Sequence, residues 1–168
     1  MPEPGPPQTY FLDSSALVKR YVIEAGSSWV EDICDPKTGN VITVVQIGLV
    51  EVAAAFASKH RDNFVTQDQY ERALVDLIHD AQDQYSLVGI DQRIVDLAIE
   101  LTHRQKLRGY DAVQLACGCV LNRALLDEDL PPLIFASADN DLLTAARSEG
   151  LSTANPADYA VSGTLADW

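Results

Sequence analysis

Thr9-Tyr-Phe-Leu-Asp13 runs directly into Ser14-Ser-Ala-Leu-Val-Lys-Arg-Tyr21, and that junction decides the fold. Tyr10 to Leu12 is a short apolar run suited to a buried strand. The residues after it suit a helix, with Asp13 or Ser14 as its cap. A strand passing straight into a helix is the usual opening of a parallel α/β layer. The alternation continues outward. Gly26-Ser-Ser opens a helix through Cys34, Asp35-Pro-Lys-Thr-Gly39 turns, and Val41 to Val44 reads as a strand. The next helix starts near Val45 or Gln46 and ends about His60. Thr66 and Gln69 form a capping box ahead of a helical 3-4 pattern. That pattern turns Tyr70, Ala73, Leu74, Leu77, Ile78 and Ala81 inward. Ser86 to Ile90 reads as a strand. Asp91 caps a helix whose inner residues are Ile94, Leu97, Ala98 and Leu101. Gly109 breaks it, and Tyr110 or Asp111 starts another helix to about Leu126. After the polar loop 127–132 come a strand, Leu133 to Ser137, and a helix from Asn140 to Glu149 closed by Gly150. A last short strand covers Leu151 to Thr153. The sum is a parallel sheet between helices.

The chain has 168 residues, 47% of them apolar and 22% charged, which fits one globular domain. Its apolar runs are too short to span a bilayer, and residues 1–8 lack the charged and apolar regions of a signal peptide. The expectation is a cytoplasmic protein: a flexible leader over 1–8, a domain over 9–155 and a tail over 156–168. In that tail Tyr159 and Trp168 either dock on the body or fray. Cys34, Cys117 and Cys119 make an odd count with no zinc pattern and read as reduced thiols. The formal net charge of −13 argues against broad nonspecific nucleic-acid affinity.

Four acids stand where strands end or helices begin: Asp13, Glu51, Asp111 and Asp139. In a parallel sheet the carboxyl ends of the strands share one edge, where ligand sites gather. Carboxylates collected there repel one another unless a cation lies among them, and their hard oxygens suit Mg²⁺ or Mn²⁺. Each acid also has a plainer role available. Asp13 and Asp139 suit helix caps, and Asp111 suits a first turn. Glu51 lies inside Ile47-Gly-Leu-Val-Glu-Val-Ala-Ala-Ala-Phe56, where an unpaired buried carboxylate is costly. Asp141 rivals Asp139 as the fourth acid. Arg104, Lys106 and Arg108 lead into the Asp111 stretch, and Lys19 and Arg20 follow Asp13; both groups are candidates for guiding phosphates. Gln114, one turn beyond Asp111, is a candidate for a polar contact with substrate. His60, His79 and His103 are too scattered to suggest a nucleophilic triad.

Four stretches taken in order carry a family resemblance: Phe11-Leu-Asp-Ser-Ser-Ala-Leu-Val18, Glu51-Val-Ala-Ala-Ala-Phe56, Leu107-Arg-Gly-Tyr-Asp-Ala-Val-Gln-Leu-Ala116 and Ser137-Ala-Asp-Asn-Asp-Leu-Leu143. Over roughly residues 9 to 155 the chain resembles the PIN-domain proteins, particularly VapC-type toxins. The resemblance implies a PIN-like three-layer α/β/α sandwich with a central, mainly parallel sheet. It implies an endoribonuclease dependent on Mg²⁺ or Mn²⁺, with Asp13, Glu51, Asp111 and Asp139 as catalytic metal ligands. Ser15 and Ser137 would lie near phosphate or metal. Products would carry 5′-phosphate and 3′-hydroxyl ends. Expected partners are RNA, a small antitoxin protein and a second copy of the chain. The alternatives are an RNA-processing nuclease of the same fold without an antitoxin, and a non-catalytic binding module. A haloacid-dehalogenase-type phosphatase would need a second Asp two residues after Asp13, where Ser15 stands.

Overall fold

The computed structural model describes residues 5–160. The leader expectation for residues 1–4 and the tail expectation for 161–168, Trp168 included, lie outside the described residues. Five parallel strands form the sheet: β1 (Thr9–Leu12), β2 (Val41–Val45), β3 (Tyr85–Val88), β4 (Ile134–Ala136) and β5 (Ser152–Ala154). Their order is β3-β2-β1-β4-β5. The seven α-helices are α1 (Ser14–Leu17), α2 (Ser27–Ile33), α3 (Gly48–Arg61), α4 (Gln67–Asp83), α5 (Gln92–Arg104), α6 (Gly109–Asp127) and α7 (Asn140–Ser148). The expected helix over 14–21 is split: α1 tightens into a 3-10 turn at Val18–Arg20.

Side chains alternate across a strand, so each strand feeds two cores. Phe11, Val45 and Phe135 join residues of α5, α6 and α7 in one. Leu12, Val44 and Ala136 join residues of α1 to α4 in the other. This is the three-layer α/β/α sandwich expected, with a sheet that is wholly parallel. Phe11 and Phe135 stack at 5.2 Å between ring centres on neighbouring central strands. Gly118 of α6 is required here, since a methyl group on it would sit 2.8 Å from the Phe135 ring. Tyr159 stacks on Trp29 at 4.6 Å, so the chain stays on the body through the 3-10 turn Pro156–Tyr159.

Helix α4 corrects one expectation. Ala73 and Leu77 are buried, but Ile78 is 58% exposed. The helix rests on a narrow stripe, so the outer part of its apolar arc meets solvent. Its capping box is present, with Thr66 Oγ1 accepting from Gln69 N and Thr66 N donating to Gln69 Oε1. Thr66→Ala is expected to lower stability by about 1 kcal/mol, seen as a drop in Tm of roughly 2–4 °C. No change in Tm would remove that cap from the account of α4.

Among the described residues no helix is long and apolar enough to cross a membrane. All three cysteines are free, with Cys34 and Cys117 buried.

Candidate active site

The order of strands reverses at β1. Chain direction moves outward through β2 and β3 on one side, then through β4 and β5 on the other. Such a reversal opens a crevice at the carboxyl ends of the two strands that flank it. Asp13 follows β1 and Ser137 follows β4, so both stand at this crevice. Asp13 N donates to Ala136 O at 3.1 Å and ties the two strand ends together.

Asp13 is 4% exposed. Its Oδ1 accepts from Ser15 Oγ at 2.7 Å and from Ala16 N at 2.9 Å, and its Oδ2 accepts from Ser137 Oγ at 2.6 Å. The cap on α1 is therefore Asp13, one of the two alternatives. Burial is the largest influence on its carboxyl and raises it to about 6, against the lowering effect of these hydrogen bonds. Asp111 is close enough for its charge to add to the rise.

A cleft of about 980 Å³ is lined in part by Glu51, Tyr110, Asp111, Asp139, Lys106 and Arg108, with Asp13 behind its wall and not among its lining residues. Glu51 is exposed to it, which corrects the expectation of an apolar setting. The turn of α3 that carries Glu51 faces the crevice, while Val52 and Phe56 of the same helix are buried. Burial raises the Glu51 carboxyl, and the charge of Asp111 adds to it. Burial also raises Asp111, followed by the charge of Asp139, with Arg108 opposing. The four acids thus form a chain of mutual repulsion across one edge. Asp139 Oδ1 caps α7 by accepting from Asp141 N and Leu142 N. Asp141 lines the cleft as well. Helices α3 and α6 both start at this edge without a side-chain cap. Leu49 N and Val50 N of α3 donate to Gln46 O and Ile47 O, so the free first-turn N–H groups are those of α6.

Several expected contacts fall elsewhere. Ser137 is fully buried and donates to Asp13, so it is in no position to meet substrate. Ser15 is half-buried, donates to Asp13 and accepts from Ala138 N at 2.9 Å. Gln114 is buried and bonds to Ser14 and Tyr110 rather than opening onto the cleft. Among the cations, Lys106 and Arg108 line the cleft. Arg104 is engaged by Glu100 and Glu149. Lys19 pairs with Glu24, and Arg20 bonds to Asp80, Tyr85 and Gln84, so neither serves the cleft. Tyr110 and Ser14 are the residues that sequence reasoning missed. Their polar atoms gain meaning only through Gln114, 100 positions from Ser14.

The donor set is all oxygen, which fits a hard divalent cation. It does not make a closed shell. Among the described residues no group of three or more His, Cys, Asp or Glu is gathered tightly enough to hold a metal ion by itself. An open site suits Mg²⁺, which keeps several waters and binds through one or two carboxylates together with substrate phosphate.

No family model matches the chain, and no curated protein does. Solved structures do. PAE2754 from Pyrobaculum aerophilum is similar with a TM-score of 0.59 and 14% identity, over 87% of this chain and 83% of that one. A chain of a toxin–antitoxin complex from Klebsiella pneumoniae is similar with a TM-score of 0.53 and 18% identity, over 88% of this chain and 97% of that one. What they share with this chain is the fold. The sandwich is therefore an architecture found in other proteins, including a chain of a toxin–antitoxin complex.

Proposed function

We propose that this chain is an endoribonuclease that hydrolyses RNA phosphodiester bonds with bound Mg²⁺ or Mn²⁺, and that it is the toxin of a toxin–antitoxin pair. The observation that carries the proposal is one cleft lined by Glu51, Asp111 and Asp139, with a buried, firmly held Asp13 close enough to Asp111 to feel its charge. Carboxyls raised by burial and by a neighbouring acid, as Asp13, Glu51 and Asp111 are, mark function more than stability when they gather at a crevice. The residues to hold the metal are Asp13, Glu51, Asp111 and Asp139. When bound, the ion supplies charge neutralisation for phosphate oxygens and a more acidic water.

The chain's own residues do the rest. Ser15, Ala16 N and Ser137 fix Asp13, so one carboxylate keeps its place whatever binds above it. Lys106 and Arg108 offset part of the acidity and offer phosphate contacts at the cleft rim. The free N–H groups opening α6 favour the same anions. A cleft open to solvent admits single-stranded RNA, whose backbone can bend to present a phosphate.

The test is incubation of the purified chain with single-stranded RNA and Mn²⁺, followed by analysis of the ends. Cleavage leaving 5′-phosphates is expected. Intact RNA under all metals would instead favour the non-catalytic binding module, which the loose spacing of the acids also suits.

The fold shared with a chain of a toxin–antitoxin complex supports the antitoxin partner. A small protein encoded immediately upstream is expected to co-purify with this chain and suppress cleavage. Absence of such a protein points to an RNA-processing nuclease. We also propose a homodimer, as the resemblance to VapC-type toxins implies. Sedimentation at micromolar concentration is expected to show twice the monomer mass, and a monomer alone would refute this.

A further inference from the structure

Gln114 is 2% exposed, yet its amide has both donors and acceptors to satisfy. Its Nε2 donates to Ser14 Oγ at 3.1 Å and to Tyr110 Oη at 3.2 Å. Its Oε1 is buried with no partner among the described residues. Turning the amide over gives no relief, because Nε2 would then occupy the unpartnered position. A buried amide in this condition destabilises the fold, and an unsatisfied group in a well-packed core calls for a reason.

The neighbours supply one. Both Nε2 hydrogens end on hydroxyl oxygens, so Ser14 and Tyr110 each accept there; the two hydroxyls also bond to each other, which leaves the pair one proton for a third group. The three polar atoms converge on the start of α3. A methyl group placed on Gly48 would lie 3.4 Å from Tyr110 Oη, 3.5 Å from Gln114 Nε2 and 3.5 Å from Ser14 Oγ. Glu51 stands about one turn further along α3 and lines the same cleft as Tyr110. Ser14 and Tyr110 lie close enough to Glu51 to oppose the rise that burial imposes on its carboxyl.

We propose that the buried Gln114 amide holds the hydroxyls of Ser14 and Tyr110 as a linked pair whose remaining proton is directed to the Glu51 carboxylate, making these three positioning residues for Glu51. The inference rests on reading the cleft as a hydrolytic metal site. Partners that orient a ligand in this way change metal affinity about 10–100-fold when removed. The unpartnered Oε1 is then a stability penalty accepted at a functional site.

The experiment has a metal-free arm and a metal arm, both on the full chain. In the first, the side-chain carboxyl carbon of Glu51 is followed by NMR. Its resonance is expected to move in Tyr110→Phe, Ser14→Ala and Gln114→Leu, and to stay in place in Ser14→Thr, which keeps the hydroxyl. In the second, Mn²⁺ binding is measured by calorimetry. A loss of about tenfold is expected in Tyr110→Phe and Gln114→Leu, with Ser14→Thr close to the parent. Gln114→Leu is expected to melt no lower than the parent, because the unpartnered carbonyl is gone. A merely structural glutamine would lower Tm and leave Mn²⁺ affinity alone. Tyr110→Phe removes one atom from a half-buried ring, so it decides the matter even where Gln114→Leu fails to fold. A Glu51 resonance unmoved by both Tyr110→Phe and Ser14→Ala overturns the proposal. A resonance that moves in a parent that takes up no Mn²⁺ keeps the hydrogen-bond array and removes the metal reading instead.

Discussion

Replacing Asp13 with Asn is expected to lower RNA cleavage by more than about 100-fold while the protein stays folded, because groups that only orient a metal ligand already carry effects of 10–100-fold. The substitution is close to isosteric. Asn Oδ1 retains the acceptor role towards Ser15 Oγ and Ala16 N, and Nδ2 has Ser137 Oγ as an acceptor. What disappears is a buried negative charge. In the folded protein the Asp13 carboxyl rises from 3.8 to about 6. A carboxyl with a raised folded pKa holds its proton more tightly when folded. Stability is therefore lost as pH rises from the ordinary carboxylate range through about 6, on the order of 3 kcal/mol. Metal-free Asp13→Asn is expected to melt above the parent at about pH 7.5 and to lose that advantage near pH 4. Side-by-side melting and cleavage assays read both effects. A folded Asp13→Asn protein with full activity refutes the assignment of Asp13. A melting advantage that grows towards acid pH refutes the electrostatic part.

The second large effect is metal dependence. In excess chelator Glu51, Asp111 and Asp139 share the cleft, near Asp13, with their repulsion only partly offset by Arg108. Cleavage is expected to vanish. Added Mg²⁺ or Mn²⁺ displaces protons from the acids, so binding and activity both strengthen with pH. At one hundred times its dissociation constant, the ion stabilises the folded chain by about 2.7 kcal/mol, a rise in Tm of roughly 5–10 °C. Ca²⁺, with a larger and looser shell, is expected to stabilise without supporting much cleavage. Zinc has no Cys or His at this edge to select it. Undiminished cleavage in chelator eliminates the mechanism. Cleavage without any metal-induced change in Tm separates catalysis from the four acids.

Local chemistry made the fold legible before any coordinates. Thr66 with Gln69, Asp91 and Gly150 announced helix ends, and each does so through a bond or backbone angle confined to a few residues. The placement of the acids was legible for a related reason: Asp13 and Asp139 come just after strands, and Glu51 and Asp111 stand in first turns of helices, so each takes its position from a regular element. Side-chain aim was not. Ser137 and Asp13 meet across 124 positions, and Gln114 and Ser14 across 100. No local period carries such a pairing. Lys19 and Arg20 looked available to the cleft because Glu24 is close in sequence but Asp80 and Tyr85 are not. Glu51 looked buried because its neighbours are apolar, yet one turn of a helix carries both a core face and a solvent face.

The central strand has a consequence for how the chain is made. β1 is synthesised first, and its inner neighbour β4 arrives only at Ile134–Ala136. Asp13 waits for Ser137 to hold it and for Asp139 to complete the crevice wall. Pairings across such separations are slow to form, because the loop between them must close first. A growing chain that has not passed Asp139 has no assembled cleft. The order of the strands thus delays assembly of the cleft, and with it the cleavage proposed for it, until β4 and the start of α7 have been made.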